Sequence, residues 1–212
     1  MDIEKNERIF QVAKELFATL GYHQTSANLI AETADVSKAL IFHHFQTKKN
    51  LYLNIINDSI DVLMNAFEKE SHPQDSEDFF EQLKYFVKMK LNVAVSCPLE
   101  NQLLMQAFIT PPKEIMKELE QLFMEKSKPM IALNDDYIYQ LLTPKSLRDD
   151  VELNQAKRLI RTVFEGFSQR IINEYTGKFE NLVDETDKIL SEMDAIIDIL
   201  KYGVYTREVN QL

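Results

Sequence analysis

Four glycines in 212 residues constrain this chain more than any other feature. Average usage is about 7% glycine, which would supply roughly fifteen. Tight two-residue hairpins need residues that tolerate positive φ, glycine above all. A chain this poor in glycine cannot furnish the turns of an all-β fold. Hydrophobic residues make up 45% of it, enough for a core and too many for a globally disordered polymer. An all-α fold is the expectation. The single cysteine, Cys97, excludes a disulfide framework and a thiolate zinc site built within one chain. No run of about 18 apolar residues could span a membrane. The opening MDIEKNERIF lacks the basic-then-apolar layout of a secretion signal. A cytoplasmic protein with no membrane partner is therefore expected.

The formal net charge of -10 argues against a polyanionic partner only if it is spread evenly, and it is not. Residues 1–52 hold six basic and six acidic side chains, so the whole acidic excess lies in 53–212. Between residues 36 and 57 there is no carboxylate, while Lys38, Lys48, Lys49, His43 and His44 fall in that window. The sign of a local patch decides polyanion binding more than the total does.

Apolar periodicity then divides the chain into helices. Ile9, Val12, Ala13, Leu16, Phe17 and Leu20 follow the i, i+3, i+4 pattern of one buried face, and Gly21 stands where a helix-ending glycine belongs. Ser26 can cap a short helix to position 34 and Ser37 a second from Lys38 to Phe45. Thr47 can cap a third, long helix with Tyr52, Ile56, Ser59, Leu63 and Phe67 on one stripe. Residues 71–78 read as a loop. Further helices are expected over 78–95, from Pro98 to about residue 108, over 113–126, and from Pro129 to about residue 142. The stretch 143–150 is a loop. Two long amphipathic helices close the chain, at about 152–176 and 181–203, with Gly177 in the short link. Two such helices make an antiparallel hairpin. Their apolar stripes are wider than one hairpin needs. Spacing alone leaves open whether the surplus faces the monomer or a second copy across a two-fold axis.

Residues 26–45, two short helices across a three-residue turn behind a longer helix, have the layout of a helix-turn-helix. The residues Arg8-Ile9, Ala13, Leu16-Phe17, Gly21-Tyr22, Thr25-Ser26, Ile30-Ala31, Ala34, Val36-Ser37-Lys38, Ile41-Phe42, His44-Phe45, Lys48 and Leu51 closely resemble the DNA-binding domain of the tetracycline-repressor (TetR) family. The resemblance covers about the first 50 residues. It implies an N-terminal three-helix helix-turn-helix domain, 1–52, and a larger helical effector-binding and dimerisation domain, 53–212. It also implies a sequence-specific regulator of transcription that binds double-stranded DNA. Such a regulator is most often a repressor released from a pseudo-palindromic operator by a small effector. The homodimer would form through the last two helices.

On that resemblance, Ser37 caps the recognition helix and Lys38 reaches a guanine edge or a phosphate. Ala39 and Leu40 offer only van der Waals contact, for example to a thymine methyl. Ile41 and Phe45 belong to the core. His43 resembles a groove-facing position and His44 a phosphate contact. Lys48 would clamp the backbone, and Thr25, Ser26 and Asn28 resemble the other phosphate-side contacts, which position more than they specify. Two departures stand out at the interface. Phe42 takes a position where the family often has a tyrosine, so a phosphate-binding hydroxyl is missing. Asp35 replaces the usual turn glycine; aspartate tolerates the left-handed conformation, but it brings a carboxylate near DNA. Adjacent histidines do not converge on one metal, so no metal site is expected.

In the larger domain Phe67, Phe86, Met89, Met105 and Phe108 could line an adaptable apolar effector pocket, together with Met116, Phe123, Tyr137 and Phe164. Arg161 is either a polar anchor there, with Glu165, or half of a surface ion pair. No P-loop, G-x-S-x-G, H-E-x-x-H or glycine-rich dinucleotide turn occurs, so neither catalysis nor a bound cofactor is expected. The alternative to a DNA-binding regulator is a helical small-molecule-binding or scaffold protein without DNA binding.

Overall fold

The computed structural model describes residues 2–70, 78–175, 182 and 184–203, with the side chains of 2 and 127–138 left aside. Every regular element among them is helical. The order is α1 (Asp2–Gln24), α2 (Ala27–Thr33), α3 (Lys38–Phe45), α4 (Lys48–Glu70), α5 (Phe79–Ser96), α6 (Pro98–Ile109), a 3-10 turn (Lys113–Ile115), α7 (Met116–Leu141), a second 3-10 turn (Pro144–Ser146), α8 (Leu153–Tyr175) and α9 (Thr186–Tyr202). The expected loop at 71–78 and Gly177 lie almost wholly outside the described residues.

The chain forms two packing units, Met1–Ser71 with Ser96–Met130, and His72–Val95 with Ile131–Leu212. These are not the segments 1–52 and 53–212, because α6 and the start of α7 pack with the N-terminal helices. One continuous core explains why. Ile9, Ala13 and Phe17 of α1, Ile30 of α2, Ile41 of α3 and Leu51, Ile55 and Ile56 of α4 are buried together with Leu103 and Ala107 of α6 and Leu119 of α7. Fully burying a side chain of this size is worth about 1.5–3 kcal/mol. Removing α6 from this cluster would uncover the apolar faces of α1 and α4, both of which it packs against.

Polar contacts reinforce the same unit. The Lys14 ammonium, almost inaccessible at 6% exposure, reaches Glu100 of α6 at 2.6 Å and Asp58 of α4 at 3.2 Å. Gln102 and Gln106 both donate to the Ala18 carbonyl at 2.8 Å. This carbonyl lies in the last turns of α1, just before the backbone leaves the helical region at Gly21 (φ 78). Lys49 pairs with Glu118 at 2.9 Å and Lys126 with Asp61 at 2.7 Å, tying α4 to α7.

The second unit buries Phe79, Leu83, Phe86, Met89 and Val93 of α5, Ile160, Phe164 and Phe167 of α8, and Ile189, Met193 and Ile197 of α9. Lys84 bridges α5 to Asp194 of α9 at 2.6 Å. Arg170 of α8 pairs with Glu174 and with Glu192 of α9. One sequence expectation fails here. The break at Pro129 does not occur, and α7 runs through it. A proline forfeits only its own N–H bond and strains the turn before it, and the amphipathic segments on either side carry the helix across.

Candidate nucleic-acid interface

The helix-turn-helix is held by local hydrogen bonds that its sequence provides. Ser26 Oγ accepts the Leu29 N–H at 3.1 Å, Ser37 Oγ the Leu40 N–H at 3.2 Å, and Thr47 Oγ1 the Asn50 N–H at 3.0 Å. All three hydroxyls thus cap the helices that they precede. The turn closes α2 with a two-bond helix stop. The Val36 N–H donates to the Ala31 carbonyl at 3.0 Å and the Asp35 N–H to the Glu32 carbonyl at 3.2 Å, with Asp35 left-handed at φ 51. That is a Schellman closure with aspartate in the place glycine usually takes. The Arg8 guanidinium donates to the Asp35 carbonyl at 3.3 Å, which fastens α1 to the turn.

With Ile41 and Phe45 buried in the core as expected, the opposite face of α3 is left to solvent. Ser37, Lys38, Ala39, Phe42 and His43 are exposed, and Leu40 and His44 half-buried. The Lys38 ammonium stands 5.7 Å over the Phe42 ring, so the phenylalanine supports the lysine in place of offering a hydroxyl. His43 and His44 meet edge to face at 5.1 Å. Glu32 and Asp35 border the same shallow groove as Lys5, Ser37 and Leu40, so carboxylates flank one side of the face. Ser26 and Asn28 are also exposed.

Three of the expected contacts are rearranged. Thr25 is fully buried, and its one hydroxyl proton is shared between the carbonyls of Leu16 (3.0 Å) and Gly21 (2.9 Å). Its side chain therefore secures the end of α1 and cannot touch a phosphate. His44 Nε2 is buried with no hydrogen-bond partner, so that nitrogen is closed to a phosphate too. Lys48 donates to the Tyr22 carbonyl at 2.9 Å and lies 4.1 Å over the Tyr22 ring. Burial there lowers its pKa, opposed by the Glu114 carboxylate. An ammonium has three donors, so Lys48 keeps others for a phosphate while bracing α1 against α4.

The effector candidates do not share one packing unit. Phe67, Met105, Phe108, Met116 and Phe123 belong to the first, and Phe86, Met89, Arg161 and Phe164 to the second. Phe108 and Phe123 are in ring contact at 4.8 Å, and Phe86, Met89 and Phe164 are buried. Tyr137 lies outside the described side chains. Arg161 forms no ion pair with Glu165; its guanidinium stacks on Tyr139 at 4.8 Å. Among the described residues no cluster of His, Cys, Asp or Glu could hold a metal. None of the described helices is long and apolar enough to cross a membrane.

Sequence reasoning missed Arg8, Lys14, Gln102 and Gln106 as structural ties. It also missed Gln46, which ends α3 at φ 63, with the Thr47 N–H donating back to the Phe45 carbonyl at 2.7 Å. Only the first carried a local signal, a basic residue immediately before the apolar stripe of α1.

Comparison with known proteins agrees with this geometry. Residues 9–55 match the family model of bacterial regulatory proteins of the tetR family, and residues 77–205 that of the tetracyclin repressor-like C-terminal domain. The HTH-type transcriptional regulator RutR of Escherichia coli is 26% identical over 118 residues, 54% of this chain and 53% of its own length. The HTH-type transcriptional regulator QacR of Staphylococcus aureus is 43% identical over 51 residues, 24% of this chain and 27% of its own. The chain thus spans about half the length of the first of these relatives, and about a quarter of the second. A TetR family transcriptional regulator from Chloroflexus aurantiacus has the same fold, with TM-score 0.65 and 22% identity over 96% of this chain and 94% of that one. With family models matching the helix-turn-helix and most of the remaining chain, this protein belongs to the tetR family of bacterial regulatory proteins.

Proposed function

We propose that this protein is a sequence-specific DNA-binding regulator of transcription, a repressor released from a pseudo-palindromic operator by a small apolar effector. It works in the cytoplasm by binding and not by catalysis. The observation that carries the reading is the outer face of α3. It presents Lys38, Ala39, Phe42 and His43 to solvent on a helix without a carboxylate, mounted on a turn fixed by caps and by Arg8. Residues 1–52 make the DNA contacts, and 53–212 bind the effector and pair the subunits.

His43 reads base edges, Lys38 reaches a phosphate beside a guanine edge, Ala39, Leu40 and Phe42 add apolar contact, and Ser26, Asn28, Ser37, Lys48 and the Nδ1 side of His44 lie along the phosphates. Two copies joined through α8 and α9 would set the recognition helices about 34–36 Å apart, matching successive major grooves. Leu159 of α8 at 57% exposure and Ile199 of α9 at 51% support that pairing, because large apolar side chains left open on helices invite a partner. An effector that favours a different separation releases DNA, and by linkage DNA weakens the effector equally.

The test is a gel shift with the DNA flanking the protein's own gene. A retarded complex that weakens steeply with salt and is lost in Lys38→Ala/Lys48→Ala is expected. An intact dimer that shifts none of the flanking palindromes would establish the alternative, a helical binding or scaffold protein.

A further inference from the structure

Within the first packing unit, a groove of about 530 Å³ opens beside the C-terminal turn of α1. Its walls come from Tyr22 and His23 of α1, Tyr52 of α4, Gln106 of α6, and the Thr110-Pro111-Pro112 link with Lys113 and Glu114. None of the effector candidates read from the sequence lies among them. The volume falls in the range of small-molecule sites, about 300–1,000 Å³.

The groove has the features of a built site. Tyr52 is 2% exposed; its hydroxyl makes no hydrogen bond among the described residues and is not one of the sealed unpaired atoms, so it stays reachable from the groove. A hydroxyl with no protein partner is left to bond whatever enters the groove. Burial raises the phenol to about 12, so it stays a donor at any physiological pH. Gln106 spends its Nε2 on the Ala18 carbonyl and keeps Oε1 as an acceptor. That oxygen lies 3.9 Å from where a side chain on Gly21 would begin. The Tyr22 and Tyr52 rings meet at 4.9 Å, and Pro111 and Pro112 supply further flat apolar wall. On the rim the His23 ring faces the Glu114 carboxylate at 3.3 Å, and Lys113 stands on the same lining.

We propose that this groove is a second small-molecule site, selective for a small, uncharged planar ring bearing an acceptor for Tyr52 and a donor for Gln106. Flat walls choose the ring, the buried phenol orients its acceptor, and a rim that holds both Glu114 and Lys113 favours neither sign of charge. The site does not depend on the proposed DNA binding, and its test uses no DNA, so either reading can fail alone.

The probe is benzamide, which carries a carbonyl acceptor and an amide donor on a flat ring. Binding to the full chain is followed by equilibrium dialysis and by intermolecular nuclear Overhauser contacts. The wild type should bind, with contacts from the benzamide ring to the Tyr22 and Tyr52 rings. Tyr52→Phe should weaken binding about tenfold with an unchanged melting temperature, because the hydroxyl it removes holds no protein group. Cyclohexanecarboxamide, which is not planar, should bind at least several-fold more weakly. No binding by the wild type, contacts confined to other residues, undiminished affinity in folded Tyr52→Phe, or equal affinity for the saturated ring would each overturn the site.

Discussion

Replacing Lys14 by Met should cost this protein about 2–4 kcal/mol, and most of that should return when Glu100 is neutralised as well. Methionine keeps the apolar stem that packs in the core and removes only the ammonium. The contact to Glu100 is short, 2.6 Å, and the Glu100 side chain is 15% exposed. A charge-assisted hydrogen bond in such a place is worth about 1.5–3 kcal/mol, and stranding a carboxylate away from water adds to the loss. Asp58 contributes little, because its side chain is 45% exposed and half-exposed pairs are worth about 0–1 kcal/mol. Urea unfolding of wild type, Lys14→Met, Glu100→Gln and the double variant closes the cycle. A coupling of about 1.5–3 kcal/mol between the two positions is expected. A single-variant cost under about 0.5 kcal/mol, or additive costs, would refute the idea that a dry ion pair fastens α1 to α6.

Asp35→Asn should tighten operator binding several-fold while changing stability by less than about 0.5 kcal/mol, since asparagine keeps the left-handed turn and removes a charge near the phosphates; anisotropy titration and a urea melt check the two halves. Gly21→Ala should cost about 1–3 kcal/mol by thermal or urea unfolding, from backbone strain at φ 78, ψ 171, a region left almost wholly to glycine, because a Cβ there meets only Gln106 Oε1 at 3.9 Å. The Tyr52 phenol titrates at about 12 when folded against 10.0 ordinarily. Above pH 10 the unfolded chain therefore loses a proton that the folded one keeps. Stability should fall by about 2–3 kcal/mol between pH 10 and 12 on this account, and Tyr52→Phe should lack that part of the fall. Identical pH profiles for the two proteins would remove this explanation.

What the sequence disclosed was what depends on near neighbours. Ser26, Ser37 and Thr47 cap helices that begin one residue later, and Asp35 adopts the left-handed turn, because each geometry is settled within four or five residues. Residue identity alone could not disclose direction. Thr25 sits beside Ser26 and has the same chemistry, yet its hydroxyl turns inward to Leu16 and Gly21. Nor could it disclose partners about 85 residues away, such as Glu100, Gln102 and Gln106 on α6. Those long-range ties are why the packing units cross the boundary at residue 52 that charge and resemblance suggested. Pro129 was misleading because a breaker inside a long amphipathic pattern loses only one bond. The effector candidates were chosen by residue type, which cannot say that Phe108 and Phe164 belong to different units.

The central claim is that the exposed face of α3 meets DNA phosphates and bases, and salt dependence tests it most directly. Anisotropy titration of the operator from about 50 to 300 mM salt gives the slope of log affinity against log salt. With Lys38 and Lys48 contributing from each of two heads, the slope should be about -4 or steeper, and Lys38→Ala should reduce it by about 2. A wild-type slope near zero, or one that Lys38→Ala leaves unchanged, would contradict the account.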